Sequence, residues 1–87
     1  MPAQPSHPEI IKRLKRAEGH VRSIIAMLED GRDCLEIAQQ MQAVESAVAN
    51  AKKTLVHDHI DHCLEHAVEG AGAREAIREF KAITKYL

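Results

Sequence analysis

Residues 33–69 contain neither glycine nor proline, and this uninterrupted stretch constrains the fold more than any other feature of the sequence. Its apolar residues are spaced alternately by four and three positions, which is typical of a helix that buries one seam against other helices. Asp33 and Glu36 resemble a capping box at its start, and Gly70 and Gly72 are expected to end it. The sequence therefore predicts one long helix on which the rest of the chain packs. The seam residues are Ile37, Met41, Val44, Val48, Ala51 and Leu55.

The segment before this helix predicts a short arm followed by a first helix. All three prolines fall near the amino terminus, so residues 1–6 are expected to form a flexible N-terminal arm. Ser6 and Glu9 fit a second capping box. The helix that they begin runs to about Asp30, where Gly31 ends it.

A third helix is predicted from about Ala73 to Tyr86. Its apolar face consists of Ala76, Phe80, Ile83 and Leu87. The loop between the first two helices is short, so they should form an antiparallel hairpin. We therefore expect residues 7–87 to form a single all-α domain of three helices with a long central one. A chain of 87 residues has a thin core of its own, and we expect other subunits to complete the helical bundle.

Three candidate metal ligands lie near the two ends of the long helix. Cys34 is in its first turn, whereas His59 and Cys63 are four residues apart and share one face near the other end. At about 1.5 Å per residue, Cys34 is roughly 37 Å from His59 along the helix, too far for one ion to bind both in one subunit. A second copy running antiparallel would bring its own Cys34 to His59 and Cys63. We therefore predict a two-fold dimer with two Cys-His-Cys sites.

The donor types at this site indicate a soft or borderline metal. Two thiolates and an imidazole suit Cu(I), Zn(II) or, with further nitrogen or oxygen ligands, Ni(II) or Co(II). His57, His62 and His66 lie at the same end, where one of them could add a ligand or orient His59. The alternative is that Cys34 is only a small buried core residue and that His59 and Cys63 are a chance pair on a structural coiled coil. None of the three would then bind metal. The agreement of three ligands in one antiparallel register favours metal binding.

Basic residues cluster on the first helix and again on the second. The net charge is −1, so the chain has no global basic field and any nucleic-acid surface must be local. Such a cluster is usually a solvated helix face, but a symmetric assembly repeats it into a patch that can contact phosphates. No helix-turn-helix pattern indicates a recognition helix. The candidate DNA-binding residues are Lys12, Arg13, Lys15, Arg16, Lys52 and Lys53.

Composition narrows the class of protein. Two cysteines, no signal peptide and no apolar run near 20 residues are expected of a soluble cytoplasmic protein without a membrane partner. No carboxylate pair, activated nucleophile or phosphate-binding loop indicates an enzyme. A metal-storage or chaperone protein would have the same metal site without binding DNA, and a structural coiled coil would bind neither.

The chain resembles the CsoR/RcnR family of metal- and formaldehyde-responsive repressors in three segments, RLKRAEGHVRSIIAMLEDGRDC, QQMQAVESAVANAKKTL and HDHIDHC. The resemblance extends from about Glu9 to Tyr86. It implies an all-α homotetramer, built as a dimer of antiparallel dimers. Such a repressor binds operator DNA without its effector and releases the DNA when the effector binds, which derepresses metal efflux or detoxification genes.

The resemblance also implies roles for particular residues. Cys34, His59 and Cys63 fall on the three sensor positions of the family. Glu79 falls on an acidic position that supports the metal site of the copper branch. Arg13 and Lys53 fall on basic positions associated with DNA binding.

The effector is where the branches of the family differ. Cys-His-Cys resembles the copper branch, although Asp33 stands where copper sensors often have tyrosine. The nickel and cobalt branches recruit an N-terminal histidine or amine, and His7 is the only histidine available for that role. In the formaldehyde branch an N-terminal proline amine, here Pro2, and the cysteine at Cys34 are linked by the aldehyde carbon, but that branch normally lacks the cysteine at Cys63. Cu(I) and Ni(II)/Co(II) are therefore the expected effectors, with formaldehyde as the alternative.

Overall fold

A computed structural model of the chain describes residues 5–69 and 72–87, except for the side chains of residues 67–69. It contains three α-helices and a final 3-10 turn: α1 (His7–Glu29), α2 (Cys34–Glu69), α3 (Ala73–Ile83) and the 3-10 helix (Thr84–Tyr86). No strand occurs among the described residues. The predicted all-α fold with a long central helix is confirmed.

The long helix begins and ends close to the predicted positions. The backbone N–H of Ile37 donates to the carbonyl of Asp33 at 3.1 Å, which closes the first turn of α2. Glu36, the expected capping-box partner, accepts a hydrogen bond from the Arg32 guanidinium. Because the stretch contains no helix breaker, α2 continues to Glu69. Gly70, one of the two predicted stop residues, lies outside the described residues.

The turn between α1 and α2 depends on one glycine. Gly31 has φ +68°, in the left-handed region that glycine adopts without a steric penalty. Its N–H donates to the carbonyl of Leu28 at 3.1 Å, and the N–H of Arg32 donates to the carbonyl of Met27 at 3.0 Å. These two bonds form a Schellman motif, which satisfies carbonyls at the end of α1 and reverses the chain.

Residues 8–51 form one compact unit, made of α1 and the first half of α2. The side chains of His20 and Gln40 are hydrogen-bonded at 2.6 Å, which joins the two helices at positions equally far from the turn. Buried and half-buried apolar residues follow the same symmetry, as an antiparallel hairpin requires. The matched positions are Ile10 with Ala51, Ala17 with Val44, and Ile24 with Ile37.

The other residues of the seam predicted for α2 are exposed in the single chain, and α1 has exposed apolar residues at the same spacing. On α1 and α2 they recur every seven positions, and their exposed fractions range from 36% to 58%. The hairpin therefore buries one half of each seam, and association with further helices would remove the other half from water. These exposed seam residues are Leu14, Val21, Leu28, Met41, Val48 and Leu55.

The second compact unit consists of residues 1–7 and 52–87. Val56 and Cys63 of α2 and Ala76 of α3 are buried in it. Both the backbone N–H and the hydroxyl of Ser6 donate to the Asp58 carboxylate, which ties the start of α1 to α2. Residues 1–4 lie outside the described residues, so the division into an arm and a single domain over residues 7–87 stays a prediction.

The last helix is shorter than predicted. It ends at Ile83 and continues as a 3-10 helix to Tyr86. The Thr84 hydroxyl donates to the carbonyl of Lys81 at 2.7 Å, and such local side-chain bonds compete with α-helical geometry. Leu87, predicted on the apolar face, is 70% exposed. No helix in the described part of the chain is long and apolar enough to cross a membrane.

Candidate metal centre

Two of the three predicted metal ligands lie together in the second compact unit. His59 and Cys63 occupy consecutive turns of α2 and face Glu79 of α3. One Glu79 oxygen, Oε2, is 3.7 Å from His59 Nε2 and 3.9 Å from Cys63 Sγ. The three donor atoms all lie within 4.8 Å of one another. This is the one such group of three among the described residues.

The donor separations fit a small transition-metal ion. Metal–nitrogen and metal–oxygen bonds of about 2.0–2.2 Å and metal–sulfur bonds of about 2.3 Å place tetrahedral ligands about 3.4–3.8 Å apart. Two of the separations in the cluster are 3.7 and 3.9 Å. The chain thus positions an imidazole and a thiol near ligand spacing from one carboxylate, with Cys63 buried and the other two residues half-buried.

The electrostatics of the cluster hold Cys63 in its protonated form. Burial raises the pKa of the Cys63 thiol, and the negative charge of Glu79 and the thiol's hydrogen bond to that carboxylate raise it further. Because the thiolate is the form that binds metal, an ion entering this site must displace the thiol proton. Metal binding at this cluster would therefore be coupled to the release of a proton.

Cys34, the third predicted ligand, is not in this cluster. It is the first residue of α2, is exposed and belongs to the unit of residues 8–51. The cluster in the described chain therefore contains two of the three predicted ligands, His59 and Cys63.

The other histidines predicted as possible ligands are not members of the His59–Cys63–Glu79 cluster. His62 is half-buried and its ring lies 4.2 Å from that of His66. His57 is exposed, and His7 is half-buried at the start of α1, in the same compact unit as the cluster. Pro2, the candidate for an aldehyde site, lies outside the described residues.

The candidate DNA-binding residues are mostly exposed. Arg13 is the exception, because it is half-buried and its Nε lies 3.5 Å from Glu9 Oε1, one helical turn away. The five exposed residues are Lys12, Lys15 and Arg16 of α1 and Lys52 and Lys53 of α2.

Sequence reasoning did not assign a role to Glu75 or Asp58. Glu75 lines a cavity of about 310 Å³ together with His62, His66 and Cys63. The four-residue spacing of His62 and His66 is a signal that could have identified this cavity as a site. No comparable pattern in the sequence links Asp58 to its hydrogen-bond donor near the start of α1.

The fold and the cluster agree with comparisons to known proteins. The chain matches the family of metal-sensitive transcriptional repressors over residues 6–86. It is 41% identical over 81 residues to the copper-sensing transcriptional repressor CsoR of Bacillus subtilis, a match that covers 88% of this chain and 80% of CsoR. It is 38% identical over 73 residues to the copper-sensing transcriptional repressor RicR of Mycobacterium tuberculosis, covering 82% of this chain and 76% of RicR.

Two solved structures share the fold. The nickel-responsive transcriptional regulator InrS has a TM-score of 0.83 and 27% sequence identity, with 100% of this chain and 99% of InrS covered. The Cu(I) complex of the copper-sensing repressor CsoR from Geobacillus thermodenitrificans has a TM-score of 0.81 and 32% identity, with 98% and 90% covered.

The chain belongs to the CsoR/RcnR family of metal-sensitive transcriptional repressors. More particularly, it is a metal-sensing repressor of the CsoR/InrS type, whose relatives respond to copper or nickel. The predictions that it is a regulator and not an enzyme, and that its effector is a transition metal, are confirmed at this level. Membership of a family of transcriptional repressors implies binding to operator DNA.

Replacing Glu79 should make Cys63 reactive at lower pH. In a Cys34→Ala background Cys63 is the only thiol, and Glu79→Gln removes the charge that raises its pKa. The thiolate, which is the reactive form, should then be populated at lower pH. We expect the midpoint of the alkylation rate against pH to move down.

Glu75→Gln is the matched control, because Glu75 lines the same cavity and does not contribute to the shift at Cys63. An unchanged midpoint in Glu79→Gln, or an equal change in both variants, would contradict the assigned role of Glu79.

Proposed function

We propose that this repressor binds operator DNA without metal and releases it when Cu(I) or Ni(II)/Co(II) binds at a site shared between two subunits. Cys34 of one subunit would complete the site formed by His59 and Cys63 of the other. The observation that carries this proposal is the cluster of His59, Cys63 and Glu79, whose donor atoms all lie within 4.8 Å of one another and which contains two of the predicted ligands. The regulated genes would then encode metal efflux or detoxification.

The intersubunit site follows from the position of Cys34 and the exposed apolar residues. Cys34 and Cys63 lie near opposite ends of one helix, and a helix cannot bring its own ends together. The exposed seam residues offer an apolar stripe that a second copy could cover. In an antiparallel homodimer, two-fold symmetry would place each Cys34 at the other subunit's His59 and Cys63, and pairing of two dimers would give the homotetramer.

The proposed ligands are compatible with two classes of metal effector. Two thiolates and an imidazole form a soft set that suits Cu(I). Glu79 offers an oxygen, and the half-buried His7 and His62 offer nitrogens, which are the donors that Ni(II) or Co(II) would need to reach a higher coordination number. Relatives of both kinds are known, because CsoR senses copper and InrS responds to nickel.

The His59–Cys63–Glu79 cluster favours metal over formaldehyde. An aldehyde bridge between Pro2 and Cys34 would leave the His59–Cys63–Glu79 cluster without a function. A metal-storage or chaperone role would use the cluster but not the exposed basic residues. A DNA-binding experiment must therefore distinguish metal sensing from aldehyde sensing and from metal storage.

The DNA interface is proposed on the basic clusters of α1 and α2. Lysine and arginine side chains that contact phosphates release condensed counterions, so each contact makes binding more sensitive to salt. The exposed lysines and Arg16 take no part in the ion pairs found elsewhere on the described helices. Arg13, which is paired with Glu9, would exchange this weak surface pair for a phosphate.

Arg13→Ala and Lys53→Ala should each weaken operator binding, because each removes a positive charge from the proposed interface. The slope of log affinity against log salt should fall by about 1 for every phosphate that the variant no longer neutralises. Metal affinity should not change. Lys81→Ala is the matched control, since Lys81 is an equally charged, exposed residue of α3. DNA affinities and slopes that equal those of the wild type in both variants would remove these residues from the interface.

Metal should release the wild-type protein from DNA of its own upstream region, with a decrease in affinity of about 5- to 150-fold. His59→Ala should bind this DNA normally and remain bound when Cu(I) or Ni(II) is added. Two thiolates can still hold a soft ion in this variant, but the ion no longer fixes α2 through His59. His57→Ala, an exposed histidine two positions away, should respond like the wild type.

Release from DNA is measured by the fluorescence anisotropy of the labelled complex during titration with Cu(I), Ni(II) or formaldehyde. Release by formaldehyde alone, with Pro2 and Cys34 both required, would replace metal sensing by aldehyde sensing. A protein that binds metal but never binds the DNA would be a storage or chaperone protein.

A further inference from the structure

We infer that His62, His66 and Glu75 form a second metal site, free of thiolate, that takes a divalent ion of borderline softness such as Zn(II). The site lies between α2 and α3 in the unit that also contains His59 and Cys63. The inference goes beyond metal sensing, because the site uses neither Cys34 nor a second subunit.

The two histidines are arranged as a chelating pair. They are four residues apart on α2, and their ring centroids are 4.2 Å apart with the ring planes tilted by 59°. Two histidines at this spacing on one helix face bind a single zinc ion in the His-Glu-x-x-His motif, because one turn of helix brings both imidazoles to the same ion. His62 is half-buried and His66 is exposed, so the pair opens to solvent on one side.

The cavity next to the pair supplies an oxygen donor and space. Its volume is about 310 Å³, and its walls include His62, His66 and Glu75, together with Cys63 and Glu79 of the neighbouring cluster. A water molecule occupies about 30 Å³, so the cavity can hold an ion with waters that complete its coordination.

Glu75 can move to join the pair at little cost. As the side chains stand, its carboxylate is not within the tight spacing found for the His59–Cys63–Glu79 cluster. Its side chain is 68% exposed, and its ion pair with Arg78 is long at 3.9 Å. Exposed ion pairs of this kind contribute little to stability, so a rotamer change towards the histidines is not opposed.

The two sites would select different metals. His62, His66 and Glu75 offer only nitrogen and oxygen, which suit Zn(II) and other borderline divalent ions, whereas Cu(I) prefers thiolates. Glu79 faces His59 and Cys63 and remains with them. The chain should therefore hold Cu(I) and Zn(II) at the same time.

The test titrates tag-free, Cu(I)-loaded protein with Zn(II) in competition with a chromophoric chelator. We expect one Zn(II) per subunit in addition to Cu(I). His66→Ala should weaken this binding at least about tenfold, since removing even an outer partner of a metal ligand costs about 10–100-fold. Glu75→Gln should weaken it less, and His57→Ala, an exposed histidine of the same helix outside the cavity, should leave it unchanged.

A second experiment tests Zn(II) binding in a variant that lacks part of the proposed Cys-His-Cys site. Cys63→Ala lacks the thiol that lines the same cavity, and it should retain Zn(II) binding that depends on His66, with helicity checked by circular dichroism. The inference is overturned if no Zn(II) binds beyond the Cu(I), or if His66→Ala binds Zn(II) as the wild type does. Either result leaves metal-dependent release of DNA intact, because that function depends on Cys34, His59 and Cys63.

Discussion

The structure depends on the continuity of one helix. Because residues 33–69 contain no glycine or proline, α2 forms without a break from Cys34 to Glu69. Cys34 and Cys63, the only thiols of the chain, lie near these opposite ends. In the proposed site, which uses both thiols, metal would join two copies of the helix, and the exposed seam residues would offer those copies an apolar surface on which to pair. Metal binding and subunit geometry would then be linked through α2.

The contact between Cys63 and Glu79 gives that link a chemical basis. Without metal, a buried thiol donates to the carboxylate, and burial and charge both favour the protonated form. An incoming ion would displace the proton and draw the thiolate, His59 and the other subunit's thiolate around itself. A ligand can shift a conformational equilibrium only by the difference in its affinity for the two conformations. Such a difference in affinity can arise because metal would replace the hydrogen bond between the Cys63 thiol and Glu79 with a bond between the thiolate and the ion.

The elements that sequence could predict are those set by local patterns. Both long helices, their turn at Gly31 and the His59–Cys63 pair follow from spacing and from helix-breaking residues within a few positions. Only the family resemblance indicates Glu79, because its approach to Cys63 depends on how α3 packs on α2. The bond from Ser6 to Asp58 joins residues far apart in sequence, and no periodicity indicates it. The 3-10 end of the chain depends on one hydroxyl, that of Thr84, which a pattern of apolar residues does not register.

The most direct test of the shared site is subunit mixing between Cys34→Ala and Cys63→Ala. After exchange at equal concentration, half of the dimers should be mixed, and each should regain one of its two sites, so tight Cu(I) binding should return to about one quarter of the wild-type capacity. As a control, Cys63→Ala mixed with the Cys34→Ala/Cys63→Ala double variant should recover none. A shared site predicts that only the first mixture recovers. If neither mixture recovers tight Cu(I) binding although the subunits have exchanged, the site lies within one subunit and the proposal of a shared site is wrong.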